Sequence, residues 1–372
     1  MKHVHGGNIY TYKNCLDFSA NCNPLGTPES VKQAVRDSLD HLKDYPQVGY
    51  APLKEAIAAY EDVKPENIIC GNGAAELVFS LCHALKPKKA LIPIPTFAEY
   101  EQALESVGAE VEHVLLKEED EFRVQDSFID WLHKDLDMVF LCNPNNPTGY
   151  LYTRKEMNQI RDLVRKYDLF LFSDEVYREF CYTGAPYISA FHLEGIENNV
   201  ILVDSVSKRY SECGIRIGAL ITKNKQVREN VMKWCQARLS PPLIGQIMAE
   251  ASLDTPEEYM RDVYDEYVER RKFLIDGLNR IPGCYSPIPM GAFYTVARLP
   301  IDDADKFCAW CLEEFDYEGQ TIFMAPASGF YTTPGLGKNE VRLAYVLKKE
   351  DLAKALVVLE KALETYNKKG KK

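Results

Sequence analysis

The chain of 372 residues lacks long hydrophobic runs, an excess of basic residues and a paired cysteine pattern. No apolar run approaches the roughly 18 residues of a membrane span, and the first residues have no apolar core of a secretory signal. The net charge of −11, from 44 Lys and Arg against 55 Asp and Glu, disfavours a protein that binds nucleic-acid phosphates. The eleven cysteines are odd in number and scattered, which indicates free thiols. We therefore expect a cytoplasmic protein that binds neither membranes nor nucleic acids.

The composition is that of an ordinary globular protein, with 46% hydrophobic and 27% charged residues. The length suggests two domains, or one large domain with an appendage. The seven histidines show no metal-ligand spacing, so we expect no metal site.

Short β-rich runs alternate with longer helical patterns through the middle of the chain. The runs cover residues 90–94, 138–142, 169–172, 199–203 and 217–222. Runs that are this short and apolar along their whole length are typical of strands buried on both faces, which predicts a mainly parallel α/β sheet flanked by helices. Ligands of such sheets bind beyond the carboxyl ends of the strands.

The two ends of the chain have a different pattern. Residues 1 to about 30 contain several glycines and prolines, and the residues after about 280 mix strand-like pieces with a closing helix at 349–366. We expect a large domain at 31–279 and a small α+β domain formed by residues 1–30 and 280–372.

Four clusters of polar and glycine residues follow apolar runs. They read GNGAAE at 71–76, NPNNPTG at 143–149, SDEVY at 173–177, and SVSKRY at 205–210 with GIRIG at 214–218. Taken singly, these clusters have structural explanations such as a helix start, a turn or an N-cap. A glycine turn that opens a helix also presents free backbone N–H groups to a phosphate, and an aspartate at the end of a buried strand needs a cation or donors.

The clusters together supply what pyridoxal 5′-phosphate requires. This cofactor needs a lysine for a Schiff base, an acidic partner for its pyridinium nitrogen and a phosphate site. Lys208 follows an apolar strand at the rim of the sheet, Asp174 ends another strand, and residues 71–76 form the glycine turn. We therefore predict that the chain binds this cofactor.

The order and spacing of these clusters, together with VRLAY at 341–345, resemble the class I and II pyridoxal-phosphate-dependent aminotransferases of fold type I. The resemblance covers essentially the whole chain. It implies a mainly parallel seven-stranded sheet with a small α+β domain, and a homodimer with shared active sites. It also implies ping-pong transfer of an amino group between an amino acid and a 2-oxo acid.

The resemblance implies three catalytic residues. Lys208 resembles the Schiff-base lysine, which is freed by the substrate amine and then moves a proton from the substrate Cα to C4′ of the cofactor. Asp174 resembles the partner of the pyridinium N–H and keeps the ring protonated. Tyr177, together with Asn146, resembles the donors to the ring O3′, which lower the pKa of the Schiff base.

The cofactor phosphate has its own set of contacts in the resemblance. Arg216 pairs with the phosphate, helped by Ser205 and by the N–H groups of Ala74 and Ala75. Tyr45 resembles a tyrosine that reaches the phosphate of a neighbouring subunit, which makes the active site depend on a dimer.

Two further contacts concern the substrate and the cofactor ring. Arg342 resembles the arginine that grips the substrate α-carboxylate, beside Asn146, because a planar guanidinium fork binds a carboxylate bidentately. One aromatic ring of the segment 95–100 stacks on the cofactor in this family, and we favour Tyr100 over Phe97.

The N-terminal half resembles threonine-phosphate decarboxylase and its relative, histidinol-phosphate aminotransferase. The resemblance lies in HGGN at 5–8, in LDFSANCNPLG at 16–26 and in FAEY at 97–100. It implies that His5 lies near a substrate phosphate and Asn21 near the substrate.

The C-terminal half favours a different substrate. Enzymes with phosphorylated substrates carry an additional arginine after a strand like 320–323, whereas this chain has Met324 there. The segment 329–337 instead resembles aspartate-aminotransferase-like members. We therefore favour transamination of an unphosphorylated amino acid such as aspartate, and interpret Arg238 as either a reader of a side-chain carboxylate or a structural residue.

Other functions compete with this interpretation. Decarboxylation of threonine phosphate and transamination of histidinol phosphate are the alternatives within the family. A regulatory protein with a retired aminotransferase fold is an alternative from another class. The retained residues speak against a retired site; they are Lys208, Asp174, Tyr177 and Arg342.

Overall fold

The computed structural model describes residues 12, 15–20, 25–46 and 50–369. The strands are β1 (Cys15–Asp17), β2 (Ile68–Gly71), β3 (Lys89–Ile94), β4 (Glu110–Leu115), β5 (Met138–Cys142), β6 (Phe170–Asp174), β7 (Val200–Ser205), β8 (Gly218–Ile221), β9 (Tyr294–Arg298), β10 (Thr321–Phe323), β11 (Ala325–Pro326) and β12 (Glu340–Ala344).

Twelve α-helices connect and cover these strands in the described part of the chain. They are α1 (Glu29–Ser38), α2 (Ala51–Glu61), α3 (Ala74–Leu85), α4 (Glu99–Glu105), α5 (Arg154–Tyr167), α6 (Val206–Arg209), α7 (Lys225–Gln236), α8 (Leu243–Leu253), α9 (Glu257–Leu278), α10 (Ala304–Glu313), α11 (Ser328–Tyr331) and α12 (Lys349–Lys369). No helix among the described residues is both long and apolar enough to cross a membrane.

A seven-stranded sheet forms the centre of the molecule, with the strand order β2-β8-β7-β6-β5-β3-β4. Strands β4, β3, β5, β6 and β7 pair in parallel, whereas β8 runs antiparallel to both of its neighbours, β7 and β2. The prediction of a mainly parallel seven-stranded sheet flanked by helices is confirmed, and all five apolar runs contribute strands to it.

Both faces of this sheet are covered. Val139 and Leu171 belong to one hydrophobic cluster, and their chain neighbours Phe140 and Phe172 belong to another. Successive side chains of a strand point to opposite faces, so each cluster lies on its own side of the sheet. This arrangement explains why the strands are apolar along their whole length.

Helix α5 shows how the sequence builds the cover of one face. The Thr153 hydroxyl accepts a hydrogen bond from the N–H of Glu156, and the Glu156 carboxylate accepts one from the N–H of Thr153. This reciprocal pair satisfies two donors that the first helical turn leaves open. Met157, Ile160 and Val164 recur at helical spacing and are buried in the cluster that contains Val139.

The N-terminal strand joins the C-terminal third of the chain. Strand β1 pairs in parallel with β10, while β11, β12 and β9 form an antiparallel sheet. Leu16 and Phe18 pack in one cluster with Ile322 and Leu343, to which helix α9 also contributes buried side chains. The domain boundaries, with 1–30 and 280–372 forming a small domain beside 31–279, stay a prediction.

Candidate active site

A cavity of about 260 Å³ lies at the carboxyl ends of β5, β6 and β7. The last residues of these strands, Cys142, Asp174 and Ser205, all line it. The structure brings ten of the predicted site residues together in its wall. They are Ala74, Ala75, Tyr100, Asn146, Asp174, Tyr177, Ser205, Lys208, Arg216 and Arg342.

Three predicted site residues remain, namely Tyr45, His5 and Asn21. Tyr45 is 88% exposed and does not line this cavity, so its contact with a neighbouring subunit stays a prediction. His5 and Asn21 lie outside the described residues. The side chains of Phe97, Val176, Ser207 and Phe330 complete the cavity wall, together with Cys142.

Two glycines shape the end of the cavity at the start of α3. Gly73 has a φ of +82°, and a Cβ added to it would lie 2.4 Å from Nη2 of Arg216. A Cβ on Gly218 would lie 2.6 Å from the backbone nitrogen of Ala74. The absence of both side chains lets the Arg216 guanidinium and strand β8 pack closely against the first turn of α3.

This corner has the donors of a phosphate site. The first N–H groups of a helix have no partner within the helix, and they carry the positive end of its dipole. The guanidinium of Arg216 is anchored beside them, because its Nη1 donates to the carbonyl oxygen of Cys213 over 2.9 Å. Backbone N–H groups at Ala74 and Ala75 together with a guanidinium suit a phosphate dianion.

Ser205 caps the short helix α6, which carries Lys208. The Ser205 hydroxyl accepts from the N–H of Ser207 over 3.1 Å and donates to the carbonyl oxygen of Ile217 over 2.7 Å. These bonds fix the turn that starts at the end of β7. Ser205 therefore positions helix α6, the short turn that carries Lys208 and is called the lysine turn below.

Lys208 lies next to a thiol. Its Nζ is 3.7 Å from Sγ of Cys213, and that thiol donates to the carbonyl oxygen of Ser207 over 3.3 Å. Cys213 was not among the predicted site residues, although it lies between Lys208 and Arg216 in the chain.

Asp174 is a buried carboxylate that receives hydrogen bonds from neutral donors. It is 5% exposed, its Oδ2 accepts from the Tyr100 hydroxyl over 2.7 Å, and its Oδ1 accepts from the N–H of Val176 over 3.2 Å. Burial raises its pKa to about 6, against the opposing effects of these two hydrogen bonds and of Lys208. A cation placed in the cavity beside Asp174 would lower this pKa again.

Tyr100 has a role that the sequence did not show. It is 1% exposed, its hydroxyl donates to Asp174, and its ring packs against Phe140 and Phe172. The ring of Phe97 meets it edge-on at a centroid distance of 5.6 Å. Both rings line the cavity, and the choice of Tyr100 over Phe97 as the ring that stacks on the cofactor stays a prediction.

Arg342 contributes a buried guanidinium to the cavity wall. It is 3% exposed, and its hydrogen bonds go to neutral oxygens, Oδ1 of Asn146 at 3.0 Å and the carbonyl oxygen of Ser19 at 3.4 Å. Its buried Nε has no hydrogen-bond partner among the residues that the structure describes. A buried unpaired donor is costly, so this end of the cavity is suited to a carboxylate ligand.

A buried network of ion pairs lies beneath the lysine turn. Arg209, the residue after Lys208, pairs with Asp204 over 2.5 Å, and Arg178 pairs with Glu61 over 2.6 Å. The two pairs meet where Arg178 lies 3.6 Å from Asp204. Although burial alone would raise the pKa of Asp204, the two arginines hold it below its usual range. The network joins α2, the segment after β6 and the lysine turn.

Arg238 and Met324 lie outside the cavity wall. Nε of Arg238 donates to both carboxylate oxygens of Glu76, at 2.6 and 2.7 Å, and its Nη2 donates to the carbonyl oxygen of Cys70. Of the two interpretations of Arg238, these contacts favour the structural one. Met324 is 1% exposed and belongs to the hydrophobic core.

Comparison with known proteins identifies the family. The model of the aminotransferase class I and II family matches residues 13–359. The chain is 35% identical over 263 residues to threonine-phosphate decarboxylase of Salmonella typhimurium, which covers 67% of this chain and 71% of that protein. It is 28% identical over 359 residues to aspartate aminotransferase of Pyrococcus horikoshii, which covers 91% of this chain and 88% of that protein.

A solved structure supports the same assignment. The aromatic aminotransferase from Pyrococcus horikoshii superimposes with a TM-score of 0.83 at 28% identity, covering 94% of this chain and 95% of that chain. The predicted fold type I is confirmed by this likeness and by the seven-stranded sheet. The chain is therefore an enzyme of the class I and II aminotransferase family, whose members depend on pyridoxal phosphate.

Proposed function

We propose that this enzyme binds pyridoxal 5′-phosphate in the 260 Å³ cavity and transfers an amino group from an unphosphorylated amino acid to a 2-oxo acid. One observation carries the proposal. The cavity combines the amine of Lys208, the buried carboxylate of Asp174 and the guanidinium of Arg216 at the start of α3, which together with the first N–H groups of α3 forms an anion cradle. It also holds the buried Arg342, whose Nε has no hydrogen-bond partner in the described part of the chain.

The residues present fit the cofactor. The cradle of Arg216 and the first turn of α3 would hold its phosphate, and Asp174 would accept the N–H of its pyridinium ring. Lys208 would form the Schiff base that attaches it. The bound cofactor supplies an electron sink for the negative charge that develops at the substrate Cα.

The protein then has three tasks in the reaction. The Lys208 amine removes the proton from the substrate Cα as a general base and later returns a proton as an acid. Asp174 stays ionised beside the ring nitrogen because an adjacent cation favours the charged carboxylate. Arg342 holds the substrate α-carboxylate in two parallel hydrogen bonds, with Asn146 orienting the guanidinium.

The distribution of charge supports an unphosphorylated substrate. Among the lining residues that the structure describes, Lys208, Arg216 and Arg342 are the cations, and the proposal already gives each of them a partner. Met324 is buried away from the cavity and cannot bind a phosphate dianion. Aspartate would fit as the substrate if a residue outside this wall binds its side-chain carboxylate.

A second candidate function is decarboxylation of threonine phosphate. The observation that favours it is the 35% identity to a threonine-phosphate decarboxylase. Both reactions use the same amine, carboxylate and anion sites. They differ in the Cα bond that is broken and in the presence of a substrate phosphate.

We also propose a homodimer in which Tyr45 reaches the cofactor phosphate of the other subunit. Tyr45 is 88% exposed, and the nearby Leu39 and Leu42 are exposed by 53% and 59%. Apolar side chains that lie close together on a surface are typical of a protein contact.

The function is tested by single half-reactions on the loaded enzyme. We expect an unphosphorylated amino acid to bleach the visible absorbance of the bound cofactor without releasing CO2, and a 2-oxo acid to restore it. Lys208→Ala should lose this absorbance band and at least about 1000-fold in turnover. Rapid CO2 release from threonine phosphate, with no turnover that depends on a 2-oxo acid, would favour the decarboxylase instead.

The phosphate cradle is tested with a pair of glycine variants. Gly73→Ala places a methyl group against Arg216, so we expect the cofactor Kd, measured by spectroscopic titration of the apoenzyme, to rise by about tenfold or more. The matched control is Gly184→Ala, because Gly184 has a similar φ of +72° with no atom within 4 Å of the added Cβ. An equal cofactor Kd in both variants would contradict the proposal that Arg216 and the first turn of α3 bind the cofactor phosphate.

The carboxylate site is tested with a pair of arginine variants. Arg342→Lys keeps the charge but loses the fork, so we expect the KM for the amino acid to rise by about tenfold to a hundredfold while the cofactor stays bound. Arg238→Lys is the control, because Arg238 pairs with Glu76 outside the cavity wall. An unchanged KM in Arg342→Lys would exclude Arg342 as the carboxylate-binding residue.

A further inference from the structure

Tyr294 is a fully buried tyrosine at the start of β9, with no role among those assigned above. In the pairing of β9 with β12, Arg342 lies opposite Val296, so Tyr294 is its diagonal neighbour on the same face. Diagonal neighbours are within reach of aromatic and long side chains. Cζ of Arg342 accordingly lies 4.6 Å from the centroid of the Tyr294 ring.

The same side chain contacts Tyr177, which follows strand β6 of the central sheet. The two hydroxyl oxygens are 2.9 Å apart, and the rings meet nearly perpendicular at a centroid distance of 5.3 Å. Tyr294 therefore contacts both the proposed carboxylate-binding arginine and the proposed donor to the ring O3′.

The direction of this hydrogen bond follows from counting protons. Burial raises the pKa of both hydroxyls, so both are protonated at neutral pH. A hydroxyl has one proton to donate. Tyr177 lines the cavity, and the proposed function directs its proton to the ring O3′ of the cofactor. When that proton is used there, the 2.9 Å contact between the two hydroxyls is a hydrogen bond only if Tyr294 is the donor.

We propose that Tyr294 is a positioning residue, which donates to the Tyr177 hydroxyl, aims the Tyr177 proton at the ring O3′ of the cofactor and supports the Arg342 guanidinium with its ring. The inference rests on the proposed function, because it needs a bound cofactor and a substrate carboxylate. It predicts that the hydroxyl and the ring of one side chain have separable effects.

The surroundings allow these effects to be measured separately. The titratable or charged groups that act on the two hydroxyls include Cys142, Cys213 and Arg342. Tyr294→Phe removes one oxygen and leaves these three groups and the aromatic ring in place. A shift in the titration of the bound cofactor then reports on the hydroxyl alone.

The test is a pH titration of the visible absorbance of the loaded enzyme. Hydrogen bonding to a charged oxygen stabilises it, and a tyrosine that itself accepts a hydrogen bond is a stronger donor. We expect the midpoint of Tyr294→Phe to lie about half a pH unit above that of the wild type. Its KM for the amino acid should change less than about twofold, because the ring still supports Arg342.

Two further variants separate the roles. Tyr294→Leu also removes the ring, so its KM should rise by about fivefold or more. In a Tyr177→Phe background, the additional Tyr294→Phe change should leave the midpoint where it was, because the hydroxyl acts through Tyr177. The matched control is Tyr345→Phe, another fully buried tyrosine, whose hydroxyl donates to the carbonyl oxygen of Ala292 over 2.9 Å. Its midpoint should equal that of the wild type.

The outcomes distinguish this inference from the proposed function. If Tyr294→Phe titrates with the wild-type absorbance midpoint, the positioning role is overturned. It is also overturned if Tyr294→Phe shifts this midpoint equally in the wild type and in the Tyr177→Phe background. A wild-type enzyme that acquires no visible band with pyridoxal phosphate overturns the proposed function, and the inference with it. A wild type that binds and turns over while Tyr294→Phe leaves the midpoint unchanged overturns the inference alone.

Discussion

The carboxylate of Asp174 is the constraint on which the site depends. It lies buried at the end of a parallel strand, its hydrogen bonds come from a tyrosine hydroxyl and a backbone N–H group, and burial raises its pKa to about 6. A buried carboxylate in such a setting is stabilised by a cation. The protonated ring nitrogen of pyridoxal phosphate is a cation of the right kind, and the neighbouring amine and anion cradle suit the rest of that molecule.

The fold explains why these groups meet. Parallel pairing of β5, β6 and β7 brings their carboxyl ends together, so that polar residues far apart in the chain line one cavity. Glycine at 73 and 218 then lets Arg216 and the start of α3 approach each other. Arg342 comes from the separate antiparallel sheet, and the contact between Tyr177 and Tyr294 joins that sheet to the central one.

Much of this arrangement could be predicted from the sequence, because buried strands and their polar ends leave a local pattern. The runs that became β5 and β7 are fully buried, and the clusters after them hold Asn146 and Lys208. Strand β4 was not predicted, because it is a half-exposed edge strand without an apolar run. The contacts of Tyr100 with Asp174 and of Tyr294 with Tyr177 depend on tertiary packing between distant segments, so no local spacing reveals them.

On this account, the buried carboxylate of Asp174 is stabilised by the cation of a bound cofactor. Carbon NMR of the enzyme, labelled at its aspartate carboxyl groups, tests this most directly. The Asp174 resonance is identified by its loss in Asp174→Asn. In the apoenzyme it should titrate with a pKa near the value of about 6. With pyridoxal phosphate bound, the pKa should fall well below that value, because the ring cation favours the ionised carboxylate. The same midpoint in both forms would contradict the account.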